Sequence, residues 1–320
     1  MELISKSKLD EVKRAASALM DGHLVAFPTE TVYGLGADAT NEKAVGRIYS
    51  VKGRPTDHPL IVHISSMQYI EKWAREIPDY AITLARQFWP GPITLVLKRS
   101  NLAMNFITGG QDTVGLRAPA HAIAQQLLYE FEKLGKTGIA APSAHIFGAV
   151  SATSGGDVSD ELGSLLLPND VVLNGGRSLV GIESTIVDCT KKHPLILRPG
   201  SVTPSMIEEV VEMHLSSAKM KSTVRASGSM KIHYAPIATV SLTGKVMKGD
   251  GFIALSEVPT PKGAIRLAAP HTIEDFANIL YQAFRSADKR NIQRIRVVPP
   301  KGSGLAVAIR DRLNKAAQLE

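Results

Sequence analysis

Short apolar runs, closed by glycine, proline or hydroxyl residues, alternate along this chain with segments whose apolar side chains recur at helical spacing. The pattern is set at the start. Lys8–Asp21 carries Leu9, Val12, Ala15, Ala16, Leu19 and Met20 at that spacing, followed by an Asp21-Gly22 turn and the run Leu24–Phe27, which predicts helix, turn and buried strand. Helices are expected near Lys43–Val51, over Tyr80–Phe88 and over Ala120–Leu134. Strands are expected at Leu60–Ile64, Thr94–Leu97, Thr113–Arg117, Gly138–Ala141, Val171–Leu173, Ser184–Asp188 and Leu195–Arg198. Intermixed helices and strands make the class α/β.

At 320 residues the chain exceeds the roughly 100–200 of one typical domain, so two are expected. The first closes with Pro204–His214. Ser216–Met230 (SSAKMKSTVRASGSM) is small, polar and aperiodic, which is linker composition. Beyond it, strands at Ala238–Leu242, Phe252–Leu255, Ala264–Leu267 and Ile295–Val298, with helices near Ile273–Ala287 and Leu305–Ala317, suggest a small open sheet of doubly wound type. The expected boundaries are a first domain over 1–214, a linker over 215–236 and a second domain over 237–320.

Several function classes lose support. Cys189, the single cysteine, has neither a disulfide partner nor the Cys/His neighbours of a zinc site and reads as an ordinary strand residue. The opening MELISKSKLDEVKRAA lacks the apolar core of a secretory signal, and no stretch reaches the roughly 18 apolar residues of a membrane span, so a cytoplasmic location is expected. There is no GxSxG elbow, no HExxH, no Walker lysine and no GxGxxG. Net charge is +7, which favours anionic partners, although the lysines and arginines are scattered.

The chemistry-bearing residues cluster in a few motifs. FPTETVYGLGADAT (Phe27–Thr40) joins a buried run to Thr29 and Thr31 and then to Gly34 and Gly36; it reads as a ligand-contacting loop or as a turn with capping threonines. In KGRPTDHPLIVHI (Lys52–Ile64), Lys52 and Arg54 lie two apart beside a proline, and an extended backbone would point both at one polyphosphate; solvated surface charges are the alternative. His63 sits in an apolar strand, where a hydrogen-bonded core histidine is also a reading. Arg117, Ser143, Ser151, Ser184, Thr185 and Arg198 fall where strands run out, supplying the hydroxyls and guanidinium groups that a site for a polar anionic substrate requires. Singly, each also reads as a cap or a surface residue. Glu30, Asp38, Asp57, Glu183 and Asp188 lie nearby, but their spacing identifies no metal ligand.

Taken in order, FPTETVYGLG, KGRPTDHPLIVHI, WPGPITLVL, VGLRAP, APSA, GIESTIVD, LRPG and HYAP resemble the threonylcarbamoyl-AMP synthase (YrdC-like) family in its long form, over about Val25 to Pro236. A looser likeness continues in VVPPKGSGLAVAIRDRLNKAA, Val297–Ala317. The resemblance implies a large twisted α/β domain with a concave, positive active-site surface, a small Rossmann-like domain, and a linker that carries HYAP back over the site. By residue, it implies Thr31, His63, Arg117, Ala141 and Ser184 around L-threonine, with Arg117 at its carboxylate. Lys52, Arg54, His58, Thr113, Ser143, Ser151, Arg198 and Tyr234 would then contact ATP or the adenylate, Lys52 and Arg54 as catalytic cations. His145 stands where the family's APSAN has asparagine, and Phe147 where a serine is common.

The implied reaction joins L-threonine, bicarbonate and ATP, with Mg²⁺ assisting, to give threonylcarbamoyl-AMP for a downstream transferase complex that modifies tRNA. Two other classes are compatible with parts of the sequence. A non-catalytic RNA-binding module would use the positive charge, but 5% aromatic content offers few stacking platforms. Carbamoyl transfer of the hydrogenase-maturation kind would call for zinc-finger and acylphosphatase-like domains, and this chain has no such segments.

Overall fold

The computed structural model describes residues 4–216, 224–226, 228 and 234–317. In chain order the first portion comprises α1 (Lys6–Met20), β1 (Val25–Phe27), β2 (Gly34–Asp38), α2 (Glu42–Lys52), β3 (Ile61–His63), α3 (Ile70–Trp73), β4 (Ala74–Arg75), α4 (Asp79–Phe88), β5 (Ile93–Arg99) and α5 (Asn105–Thr108). It continues with β6 (Thr113–Arg117), α6 (Ala122–Lys133), β7 (Ile139–Ala141), α7 (Gly155–Leu162), β8 (Val171–Val172), β9 (Thr185–Asp188), β10 (Leu195–Arg198) and α8 (Pro204–Val211). The remainder holds β11 (Thr239–Ser241), β12 (Gly251–Ile253), β13 (Ile265–Ala268), α9 (Ile273–Lys289), β14 (Arg294–Val297) and α10 (Leu305–Ala316).

Ten strands of the first portion form one mixed sheet, in the order β10-β9-β5-β6-β3-β7-β2-β1-β8, with β4 added on β5. Successive side chains of a strand leave on opposite faces, so β1 and β7 feed two cores. Ala26 and Ala140 join Val45, Ile48, Trp73 and Leu84 from α2, α3 and α4. Val25, Phe27, Ile139 and Ala141 join Val12, Ala16 and Leu19 of α1 and Leu127 and Phe131 of α6. Burying an aliphatic or aromatic side chain contributes about 1.5–3 kcal/mol, and this two-sided packing is what holds the strand ends in fixed register.

The second sheet is wholly parallel, in the order β11-β14-β12-β13. Phe276, Leu280 and Phe284 of α9 and Ile309 and Leu313 of α10 pack with Val240, Ile253 and Ile295 of its strands. Val32, Val150 and Ile182 of the first portion enter this same core, so the two sheets meet across a packed apolar boundary. Among the described residues no helix is long and apolar enough to cross a membrane.

Some expectations need correction. The two helices expected in the second portion, near Ile273–Ala287 and Leu305–Ala317, are α9 and α10, while 242–250 and 254–264 are turn-rich loops containing Gly244, Gly249, Pro259, Pro261 and Gly263. Gly34–Asp38, expected as loop, is a fully buried strand paired with both β1 and β7. Lys52 and Arg54 do not share an extended segment: Lys52 ends α2 and Gly53 caps it in the left-handed region. Helix α7 was not anticipated, although Ser154 and Asp157 form its capping box. The expected linker over Ser216–Met230 falls largely outside the described residues, as does His233 of HYAP.

Candidate active site

Side chains from neighbouring strand ends meet in one cleft. Register explains the meeting. β3 and β6 run parallel with His63 opposite Arg117, and antiparallel β7 sets Ala141 opposite Ile61. Parallel β5 and β9 set Ile93 opposite Thr185, which carries the preceding Ser184 to the same rim. Thr31, leaving β1, is fixed by a local turn in which Thr29 Oγ1 donates to Val32 O at 2.6 Å and lies 2.8 Å from Thr31 Oγ1. Thr31, His63, Arg117, Ala141, Ser143, Ser184 and Arg198 all line the cleft.

Two of these residues hold buried polar atoms without a partner. Arg117 Nη2 donates to Glu30 Oε1 at 2.6 Å, and the other Glu30 oxygen accepts from Ala120 N at 2.9 Å. Arg117 Nε and His63 Nδ1, both buried, have no hydrogen-bond partner. A buried polar group without a partner costs about 1–3 kcal/mol, which argues for a ligand that supplies one. Burial, and then the neighbouring Arg117, push the His63 pKa down to about 3, so its ring is neutral at physiological pH. Glu30 is the partner that sequence reasoning missed; it was visible only as one acid among several beside the motifs.

On the other side of the cleft, Arg198 Nε donates to Ser184 O at 3.0 Å and its Nη2 to Ser184 Oγ at 3.1 Å, while that hydroxyl lies 2.8 Å from Thr94 Oγ1. A register shift between Ile196 and Arg198 accompanies this inward turn.

The remaining expected residues do not line the cleft; they stand beside it in three groups. Lys52 is fully buried, its Nζ donating to the carbonyls of Ser143, at 2.6 Å, and His145, and burial pulls its pKa well below that of an ordinary lysine. Arg54 Nη2 donates to Pro59 O at 2.9 Å, and its guanidinium lies 5.6 Å from the centre of the Phe147 ring, which His58 meets edge-on at 5.3 Å. Burial lowers the Arg54 pKa to about 10. His145, the departure from the family motif, bridges Ser143 Oγ at 2.6 Å and Ile146 O at 2.7 Å. Because a carbonyl only accepts, Nδ1 carries a proton, and in the neutral ring Nε2 accepts from the serine. Thr113 lines an adjoining depression with Ile61, Gln111 and Arg225.

The third group surrounds Glu183, which also lines the cleft. Its Oε1 accepts from Ser151 Oγ, and its Oε2 accepts from Tyr281 Oη at 3.0 Å and Arg312 Nε at 2.8 Å. Tyr234 stacks on Tyr281 with ring centres 5.9 Å apart, and the Arg312 guanidinium lies 5.2 Å from the centre of the Tyr234 ring. Burial would raise the Glu183 pKa, but Arg312, Arg198 and the hydrogen bonds outweigh it and hold it at about 2. Tyr281 and Arg312 were not singled out in the sequence, although Arg312 falls within the Val297–Ala317 likeness, because their partner Glu183 lies 98 and 129 residues away.

Comparison with known proteins identifies the family. The Sua5/yciO/yrdC family, described as telomere recombination, matches residues 17–200, and the threonylcarbamoyl-AMP synthase C-terminal domain matches residues 202–318. Threonylcarbamoyl-AMP synthase of Pyrococcus abyssi is 39% identical over 326 residues, covering 96% of this chain and 94% of its own. That of Bacillus subtilis is 34% identical over 328 residues, covering 96% and 93%. The crystal structure of P. abyssi Sua5 complexed with L-threonine superposes with a TM-score of 0.86 at 37% identity, covering 99% of this chain and 96% of that one. With matched segments spanning both sheets and relatives aligned over nearly their whole length, the chain belongs to the threonylcarbamoyl-AMP synthase family.

Proposed function

We propose that the chain is an L-threonylcarbamoyladenylate synthase, a nucleotidyltransferase that converts L-threonine, bicarbonate and ATP into threonylcarbamoyl-AMP, pyrophosphate and water. The observation that carries this is the pairing, in one cleft, of an unsatisfied cation edge and imidazole nitrogen, Arg117 Nε and His63 Nδ1, with the Ser184–Arg198 pair opposite them. The first two suit a small amino acid carrying a carboxylate and a hydroxyl. Arg198 suits a phosphate, and Ser184, bonded to it, closes the amino-acid pocket.

In this reading the threonine amine adds to bicarbonate, water leaves, and a carboxylate oxygen of the resulting N-carboxythreonine attacks the α-phosphorus as pyrophosphate departs. Such a step needs its partners held close and its negative charge offset more than it needs a protein nucleophile. Arg117 holds the threonine carboxylate, Thr31, Ala141 and Ser184 shape the pocket, and neutral His63 bonds the threonine hydroxyl, which discriminates against analogues lacking it. Arg198 offsets phosphate charge, Lys52 fixes the Ser143 and His145 carbonyls beside the cleft, and Arg54, His58, Thr113, Ser143, Ser151 and Tyr234 stand around the nucleotide; His145 orients the Ser143 hydroxyl. No three His, Cys, Asp or Glu side chains among the described residues cluster to hold a metal, so Mg²⁺ would be held chiefly by the ATP phosphates, whose charge it would offset.

The product, a reactive mixed anhydride, is passed to a downstream transferase complex for tRNA modification in the cytoplasm, and the net charge of +7 favours contact with tRNA. Release of pyrophosphate from ATP that requires both L-threonine and bicarbonate tests the proposal; release indifferent to threonine refutes it.

A further inference from the structure

The buried carboxylate of Glu183 is shared three ways, by Ser151 and, from the second domain, by Tyr281 of α9 and Arg312 of α10. Arg312 is fully buried, and its guanidinium also faces the ring of Tyr234. A charge taken out of water to this extent is tolerated only with a partner and a full set of hydrogen bonds, so the position of each member depends on the others. Glu183 lies in the cleft wall and is joined through one peptide bond to Ser184, whose hydroxyl is held by Arg198. The threonine side has a separate anchor, since Arg117 is tied to Glu30.

From this geometry we infer that Arg312 is a positioning residue for the nucleotide side of the active site, holding Ser151 through Glu183 and the Tyr234 ring directly. The second domain thus completes the site by supplying the counter-ion for a carboxylate in its wall. A second contact points the same way: Arg285 of α9 donates to Val150 O and to Glu161, and Glu161 accepts from Ile146 N, so the loop from Ser143 to Ser151 is braced from the second domain. The inference rests on the function proposed above only in naming ATP as the ligand of that side.

The test compares wild type with Arg312→Met, Arg312→Lys and the double variant Glu183→Gln/Arg312→Met. Calorimetric titrations of ATP and of L-threonine are run separately on each full-length chain, with no turnover required. Arg312→Met is expected to weaken ATP binding by more than about tenfold, the equivalent of one charge-assisted hydrogen bond, with L-threonine binding changed less than about twofold. Arg312→Lys, which keeps the charge but not the planar fork, should recover part of the ATP affinity. The double variant, free of the stranded carboxylate, should bind ATP better than Arg312→Met. If Arg312→Met does not fold, the lysine and double variants carry the same comparison. Equal loss for both ligands, or ATP affinity unchanged in every folded variant, overturns the inference. Absence of threonine-dependent pyrophosphate release from a wild-type chain that still binds ATP would refute the proposed reaction while leaving the role of Arg312 measurable. A wild-type chain that binds no ATP overturns both.

Discussion

Replacing Arg117 with methionine separates the two roles of one guanidinium. In the folded chain its Nη2 neutralises Glu30, and both residues are nearly inaccessible to water. Removing the cation strands a carboxylate whose remaining partner is Ala120 N. Breaking a buried pair in this way costs about 3–5 kcal/mol of stability. If the guanidinium also meets the threonine carboxylate, one lost charge-assisted hydrogen bond removes about 1.5–3 kcal/mol of binding, roughly a 10- to 150-fold weaker affinity. The two losses are separable by adding Glu30→Gln, which deletes the stranded charge. The double variant should therefore regain much of its urea midpoint and none of its threonine affinity. Calorimetric titration with L-threonine reads the second quantity, and the KM values for threonine and ATP confirm it: the first should rise by at least about tenfold and the second by less than about threefold. A double variant that binds threonine like wild type, or two KM values that rise together, would refute the assigned role.

Gly181→Ala should separate the two domains' packing from the chemistry. Gly181 has φ +80°, and an added Cβ would fall 2.5 Å from Asn278 Cα in α9, so a loss of at least about 2 kcal/mol in urea denaturation is expected; unchanged stability would contradict the close approach. Acid should destabilise the fold in two stages. The folded pKa values of His63, about 3 against 6.5, and Glu183, about 2 against 4.5, are both depressed. Each therefore contributes stability that is complete above its unfolded value and lost as pH falls below it, first for His63 and then for Glu183. His63→Gln should flatten the upper stage of the urea midpoint against pH, and a wild-type midpoint constant from pH 7 to pH 4 would count against the assignment.

Much of the α/β alternation was legible because buried runs such as Thr113–Arg117 and Thr185–Asp188 carry it in their own composition. β2 was hidden because its glycines have no strand preference, and only the assembled sheet shows their purpose: a Cβ on Gly36 would lie 2.7 Å from Ile139 Cγ2 and 2.8 Å from Phe27 Cε1. Lys52 and Arg54 stand near the site but not on one extended segment, because Gly53 between them ends α2 in the left-handed region. The residues of the cleft itself could be named, since they follow strands and carry the chemistry. Their partners could not: Glu30 meets Arg117 across 87 residues, and Glu183 meets Arg312 across 129.

The ion pairs that join the two domains differ in their access to water. Lys289–Asp160 is exposed on both sides, Arg285–Glu161 is mostly covered, and Arg312–Glu183 is sealed. Salt screens the outermost, whose contribution is at most about 1 kcal/mol, and hardly reaches the innermost. Rising ionic strength should therefore peel the rim while the centre stays shut, and the domains should part from the outside inward, Arg312 last.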